Sequence, residues 1–178
     1  MPLRKGKINI FPTDSCPHLS ATNLCDQHVT KMLVEYAQIL WTSLRRWGYV
    51  GEGYKEAYPR HPSTIWAGNT RSNYLWLCKH AISTAVEYSH RYDKPPQAHK
   101  SVKLILRARS LSKHIPEGDL ERFSIAIAPT TKAYRFVDVL RPVHSYRIYY
   151  ALDKAPWATW TNREPPDWLE RYKKTYDY

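Results

Sequence analysis

Residues 24–47 repeat their apolar side chains at intervals of three and four, which is the period of an α-helix with one buried face. Asp26 suits the first turn of such a helix because the helix dipole favours a carboxylate there. We expect Asn23 to cap its start and Gly48 to end it. Residues 70–92 show the same period and predict a second long helix. Two such helices constrain the chain to a mainly α fold with a helical core.

The other segments carry weaker signals. Residues 8–12 fit a short strand or an extended lead-in, and residues 48–68, which are rich in Gly and Pro, predict a loop. Residues 97–114 predict a helix, as do residues 131–155 with a break at Pro142. No linker or repeat divides the chain. We therefore predict one compact, mainly α domain over residues 1–178, with a flexible basic tail at residues 1–7 and an aromatic-rich C-terminal segment at residues 156–178.

The chain is strongly basic, because 27 Lys and Arg residues against 16 Asp and Glu give a formal net charge of +11. This surplus indicates a polyanionic partner, and nucleic acid is the first candidate. No apolar run reaches the roughly 18 residues that cross a bilayer, and no apolar segment follows the basic start as in a secretory signal. Three cysteines are too few for a disulfide framework. We expect a cytoplasmic monomer that binds double-stranded DNA and no membrane.

Four zinc-type ligands lie within thirteen residues, namely Cys16, His18, Cys25 and His28. Their spacing fits no common zinc pattern, and the sequence contains no phosphate-binding or dinucleotide-binding loop. We therefore expect neither a metal nor another cofactor.

The first predicted helix also carries a polar stripe. Its members recur at steps of three and four: His28, Lys31, Glu35, Gln38, Thr42 and Arg45. One interpretation is a solvated face, which most polar stripes are. The other is the lining of a cleft in which Glu35, with His28 and Lys31 one or two turns away, acts as a general acid or base. The sequence leaves both interpretations open.

The triplet Asp26-Gln27-His28, with Glu35 seven positions after the histidine, resembles the start of the phage pyrimidine-dimer DNA glycosylase family of the endonuclease V type. In that family the triplet opens a helix, and a Glu at this spacing is catalytic. Residues 124–128 and 146–150 resemble further stretches of the family, and the whole chain is similar to a group of small phage proteins of unsettled function.

The resemblance implies the glycosylase fold and a catalytic Glu35, and the stripe adds His28, Lys31 and Gln38 around it. The nucleophile of the family, its N-terminal α-amine, does not carry over. Ile8 lies 20 positions before His28, and further residues precede Ile8. Glu35 is therefore the one catalytic group that the resemblance transfers to this chain.

These features predict an enzyme that acts on a modified or damaged pyrimidine base in DNA, with Glu35 as its acid or base, in a phage-infected bacterial cell. A first alternative is a transferase that hypermodifies phage DNA by joining an amine or amino acid to an activated 5-hydroxymethylpyrimidine. That chemistry needs a carboxylate to deprotonate the amine and cations, such as Lys31 and Arg71, to hold a leaving phosphate. A second alternative is a non-catalytic DNA- or RNA-binding protein, because charge and aromatic content do not separate binding from chemistry.

Basic and aromatic side chains outside the catalytic group supply candidate DNA contacts. Residues 69–74 put amide and guanidinium donors at a helix start, which suits a phosphate, and residues 94–113 carry six Lys and Arg and no acid. The predicted DNA contacts are Arg45, Arg71, Asn73, Lys100, Lys103, Arg107, Arg147 and Arg163. The predicted base-stacking side chains are Tyr54, Trp157 and Trp160, although tryptophans in a terminal segment more often pin it to the core.

Overall fold

Both long helices that the sequence predicts are present and form the frame of the molecule. The computed structural model describes residues 8–178, so the predicted basic tail at residues 1–7 lies outside the described residues. The helices are α1 (Pro17–Thr22), α2 (Asp26–Arg46), α3 (Pro62–Asn69), α4 (Arg71–Tyr92), α5 (Val102–Ser110), α6 (Pro142–Tyr149) and α7 (Leu169–Tyr176). Between residues 8 and 178 there is no β-strand, so the prediction of a mainly α single domain is confirmed.

The ends of α2 follow two different rules. Gly48 has a φ of +81°, a left-handed conformation that glycine adopts without strain, and its N–H donates to Arg45 O, so the predicted stop is confirmed. The predicted cap at Asn23 is wrong. Cys25 occupies the N-cap position and its side chain makes no capping bond, while Asn23 ends α1.

Three other predictions need correction. The predicted loop at residues 48–68 ends in helix α3, which begins with Pro62 and is capped by His61 Nδ1 accepting from the Ser63 N–H. The helix at residues 97–114 shortens to α5 and a 3₁₀ turn at Ser112–His114. Residues 131–155 divide into a 3₁₀ turn at Lys132–Phe136, helix α6 and a π-helical turn at Tyr150–Lys154. The break at Pro142 is confirmed, because α6 starts there.

The core lies between α2 and α4, with α1, α3 and α5 packed around them. It contains fully buried tyrosines, whose hydroxyl groups all need partners because an unpaired buried hydroxyl is costly. The Tyr36 hydroxyl donates to Ile10 O at 3.3 Å, and the Tyr74 hydroxyl donates to Ala108 O at 3.0 Å. Much of the aromatic content that suggested base stacking therefore serves the core.

A buried ionic cluster attaches the C-terminal segment to the two long helices. Arg91, 1% exposed, donates to Asp26 Oδ1 and to Glu87 Oε2, both at 3.1 Å. Glu87 also accepts from Arg163 Nε at 3.1 Å, and Asp26 accepts from the backbone N–H of Thr161 at 2.9 Å. Residues 156–178 are therefore part of the same domain. No helix of the described chain is long and apolar enough to span a membrane.

Candidate active site

Two members of the polar stripe of α2, His28 and Glu35, are covered by an irregular stretch of chain, residues 8–13. The backbone N–H of Asn9 donates to Glu35 Oε2 at 3.2 Å, and the Phe11 ring stacks on His28 with ring centroids 4.3 Å apart. Glu35 is 7% exposed and His28 6%, whereas the side chain of Lys31 is 62% exposed. The interpretation of the stripe as a solvated face is therefore wrong for Glu35 and His28.

Glu35 has few donors for a buried carboxylate. Its Oε1 lies 3.1 Å from Lys31 Nζ, one turn earlier on α2, and its Oε2 accepts only the Asn9 N–H among residues 8–178. Burial raises the pKa of Glu35 above its ordinary value, although the Lys31 ammonium and the Asn9 amide oppose that rise. A carboxyl group with a raised pKa holds and releases a proton nearer to neutral pH, which is what a general acid or base requires.

His28 is held as a neutral imidazole. The Tyr150 hydroxyl lies 2.5 Å from His28 Nδ1 and 3.7 Å from Cys25 Sγ, and it accepts from the Cys25 N–H at 3.2 Å. When this hydroxyl donates to Nδ1, the imidazole proton is on Nε2. Burial, followed by the positive charges of Lys154 and Lys31, lowers the pKa of His28 to about 3. At neutral pH, His28 is therefore an uncharged hydrogen-bond donor.

The stretch that covers the stripe is strained at Phe11. Its φ is +46°, a left-handed conformation that costs an ordinary residue about 1–3 kcal/mol and that is further disfavoured before Pro12. The Asn9 Oδ1 atom holds this turn by accepting from the N–H groups of Ile10 at 2.8 Å and Phe11 at 3.1 Å. The strained turn is what brings the Phe11 ring onto His28.

Two further side chains complete the site. Lys154 is the last residue of the π-helical turn, and Trp157 follows it three residues later. Lys154 Nζ lies 4.4 Å from the ring centroid of Tyr149, 5.7 Å from that of Trp157 and 5.8 Å from that of Phe11. Trp157 is 46% exposed, and its ring meets His28 edge-on with centroids 5.6 Å apart. Short π-helical turns occur often at functional sites. Trp157 stays a predicted base-stacking residue because its exposed ring lies beside the buried histidine.

The stripe residues that follow Glu35 on α2 make contacts outside the candidate site. Gln38 is half-buried and makes no hydrogen bond to Glu35 within the described chain. Thr42 exchanges two hydrogen bonds with the backbone of Ala57, and Arg45 Nε donates to Tyr54 O at 2.9 Å. Arg45 therefore anchors the loop after α2, and its DNA contact stays a prediction.

The structure gives Arg71 and Asn73 structural roles instead of the predicted phosphate site. Arg71 Nη1 donates to Glu117 Oε1 at 2.8 Å, and the same guanidinium reaches backbone oxygens of residues 113 and 115. Asn73 is fully buried and its amide donates to Trp66 O and to Glu121 Oε2, both at 2.8 Å. Charge and amide content at a helix start do not reveal such partners.

Four more predicted contacts are also engaged inside the protein. Arg147 donates to Thr13 O and Asp14, Arg163 donates to Glu87, Tyr54 approaches Ser101, and Trp160 Nε1 donates to Asn23 O. Arg147, Arg163, Tyr54 and Trp160 thus have contacts inside the protein, and their roles toward DNA stay predictions. For Trp160, this is the core-pinning role that the sequence already favoured.

The basic segment at α5 remains available. Lys100, Lys103 and Arg107 are exposed, and α5 packs against both α2 and α4. These three side chains stay predicted DNA contacts.

Asn9, Phe11, Tyr150 and Lys154 contribute to the site but carry no clear signal in the sequence. Asn9 is a common turn former and Phe11 precedes a proline, so only a turn was foreseeable there. Among residues 8–178, no group of three or more His, Cys, Asp or Glu side chains is arranged to hold a metal ion. Comparisons with protein-family models, with curated proteins and with solved structures found no match to this chain.

Proposed function

We propose that this protein is an enzyme that acts on a modified or damaged pyrimidine base in double-stranded DNA, with Glu35 as its general acid or base. The observation that carries the proposal is the position of Glu35: a carboxylate that is 7% exposed, has two donors and has a raised pKa. A protein that only binds phosphates gains nothing from a buried carboxylate beside its cations. The proposal places the enzyme, as a monomer, in the cytoplasm of an infected bacterial cell.

The residues of the site suit successive parts of such a reaction. Exposed Lys100, Lys103 and Arg107 attract the DNA backbone, and Trp157 offers a face on which an extruded base stacks. Glu35 protonates the departing base or accepts a proton from the attacking group. The Lys31 ammonium, 3.1 Å from Oε1, stabilises the ionised form of Glu35 between these steps.

A transferase that joins an amine to an activated 5-hydroxymethylpyrimidine is the second candidate, and one observation favours it. The site places a second cation, Lys154, near Phe11 and Trp157, while Arg71, the cation first expected to hold a leaving phosphate, is paired with Glu117. In this reaction Glu35 removes a proton from the amine, the new C–N bond forms at the 5-methylene carbon, and the phosphate leaves with the electrons of its C–O bond.

The replacement Glu35→Gln tests the proposal because it keeps the shape of the side chain and removes its proton transfer. Ultraviolet-irradiated DNA, and DNA with activated 5-hydroxymethylpyrimidines plus an amine, are incubated with the protein and analysed by nucleoside mass spectrometry. We expect product formation to fall about a hundredfold or more in Glu35→Gln. DNA affinity should hold or increase because a negative charge near the phosphates is lost.

Glu170→Gln is the matched control, since Glu170 also pairs with a lysine, Lys173 at 2.6 Å, but is exposed on α7. It should leave both turnover and affinity unchanged. Full turnover in Glu35→Gln would contradict the proposed role of Glu35. Absence of product from both substrates, with DNA binding retained, would favour the non-catalytic binding protein.

A further inference from the structure

Two lysines from separate elements flank His28 on the candidate active site. Lys31 belongs to α2, and Lys154 ends the π-helical turn Tyr150–Lys154. We propose that Lys31, Lys154 and His28 together bind a phosphoryl group of the substrate. The inference deepens the proposed function and rests on it for the identity of the substrate, but the binding site itself is testable without turnover.

The geometry puts Lys154 and His28 around the same aromatic rings. Phe11 lies 4.3 Å from the His28 ring and 5.8 Å from Lys154 Nζ, and Trp157 lies 5.6 Å and 5.7 Å from the same two groups. These rings restrict water around the ammonium group, and an ion pair formed in such surroundings is stronger than one in bulk water. Lys31, one helical turn after His28 on α2, extends into solvent with 62% of its side chain exposed.

The local charge favours an anion. Lys154 forms no ion pair with any carboxylate of residues 8–178, and residues 1–7 contain no acid. The neighbouring Asp153 is occupied, because its two oxygens accept the N–H groups of Lys132 at 2.9 Å and Ala133 at 3.0 Å. Glu35 is the one carboxylate that contacts Lys31. Among the described residues, the two lysines therefore share a single ion-pairing carboxylate, Glu35, and have none when Glu35 is protonated.

His28 adds a directional donor to these charges. Its Nδ1 is taken by the Tyr150 hydroxyl, whereas Nε2 has no hydrogen-bond partner within the described part of the chain. A phosphoryl group offers several acceptor oxygens, so one ion accepts from two ammonium groups and from the Nε2 N–H at once. Burial, and after it the two lysines, lower the pKa of His28, and a bound anion would oppose the contribution of the lysines.

The same chemistry has two sources in DNA: a backbone phosphodiester, or a phosphate carried by the base that reacts. Inorganic phosphate is the first probe, and the readouts are calorimetry and the ring NMR signals of His28 at pH 7. We expect saturable binding that shifts these signals. Lys154→Gln should weaken binding about tenfold or more, as expected for the loss of a charged hydrogen-bond donor. Lys154→Arg should retain most of the binding because it keeps the charge beside the rings.

Lys173→Gln is the control for the loss of one positive charge elsewhere, because Lys173 lies on α7 and pairs with Glu170 at 2.6 Å. It should leave phosphate binding unchanged. Thermal melting of each variant verifies that the fold is kept. An equal loss of affinity in Lys173→Gln and Lys154→Gln would contradict the proposal, since binding would then be a general effect of positive charge.

A short unmodified duplex distinguishes the two sources. If the duplex shifts the His28 signals and inorganic phosphate does not, the site binds a backbone phosphodiester. If inorganic phosphate shifts them and the duplex leaves them unchanged, the site binds a phosphate on the reacting base. If neither probe shifts them, the proposal is overturned, even where Glu35→Gln confirms catalysis. Phosphate binding without any turnover would instead overturn the proposed function, while the proposal of a phosphate-binding site would hold.

Discussion

Asp26 and Glu35 are both carboxylates on α2 and both are 7% exposed, yet they have opposite surroundings. The Asp26 oxygens accept hydrogen bonds from Arg91, from the Thr159 hydroxyl and from both the backbone and the hydroxyl of Thr161. Glu35 has Lys31 and one backbone N–H. Burial opposes ionisation of both groups, but the donors around Asp26 lower its pKa, whereas the pKa of Glu35 is raised.

The difference separates a structural carboxylate from one that is suited to chemistry. A fully paired carboxylate stays ionised and fixes its neighbours, as Asp26 does for residues 159–161 and Arg91. A carboxylate with few donors changes its protonation state easily, which is useful only where a proton must move. Surface exposure alone would have put the two residues in the same class.

The largest effect should follow from breaking the structural cluster. Arg91→Ala leaves Asp26 buried without its cation and removes one of the two arginines from buried Glu87, and we expect a loss of about 3–5 kcal/mol in the free energy of unfolding. Denaturant unfolding measures it. Lys31→Ala is the comparison at the other carboxylate. It should cost less than about 1 kcal/mol, because Lys31 is exposed and because Glu35, whose pKa is already raised, takes up a proton once its cation is gone. Similar losses of unfolding free energy in both variants would contradict the distinction between the surroundings of Asp26 and those of Glu35.

An intermediate effect should follow from removing the hydroxyl group behind His28. Tyr150→Phe leaves His28 Nδ1 and the Cys25 N–H without their partner, and we expect it to cost about 1–3 kcal/mol of unfolding free energy. Turnover should also fall, because the imidazole is no longer fixed in one tautomer. A variant as stable and as active as the wild type would show that this hydrogen bond does not position His28.

The smallest effect, and the most selective, is the pH dependence of stability. Because the pKa of Glu35 is raised on folding, its stabilising contribution is present below the ordinary pKa of 4.5 and is lost as pH rises through the folded value. Asp26 has a lowered pKa, so its contribution is present above 3.8 and is lost as pH falls through the folded value. The stability of the wild type relative to Glu35→Gln should therefore decrease with rising pH, and that relative to Asp26→Asn should increase. If both stability differences changed with pH in the same direction, the assignment of opposite pKa shifts to Glu35 and Asp26 would be contradicted.

The sequence predicted the regular part of the site and missed the irregular part. His28, Lys31 and Glu35 share a face because helical spacing brings them together, and the continuous apolar period located α2 and α4 within a few residues. Asn9 and Phe11 reach the site through a strained turn, and Lys154 comes from a π-helical turn 119 positions after Glu35. No local pattern encodes such contacts. Arg71 was assigned to a phosphate from its place at a helix start and Arg163 from its place in an aromatic, basic segment. Neither pattern shows which carboxylates the fold places beside a guanidinium.

The central claim, that Glu35 is held ready to exchange a proton while Asp26 is a fixed anion, is tested most directly by a carboxyl-carbon NMR titration of the wild-type protein. With both side chains labelled and assigned through Glu35→Gln and Asp26→Asn, we expect the midpoint of Glu35 to lie above 4.5 and that of Asp26 below 3.8. A Glu35 midpoint at or below 4.5 would contradict the account, because Glu35 would then be a stabilised anion like Asp26 and not the acid or base of an active site.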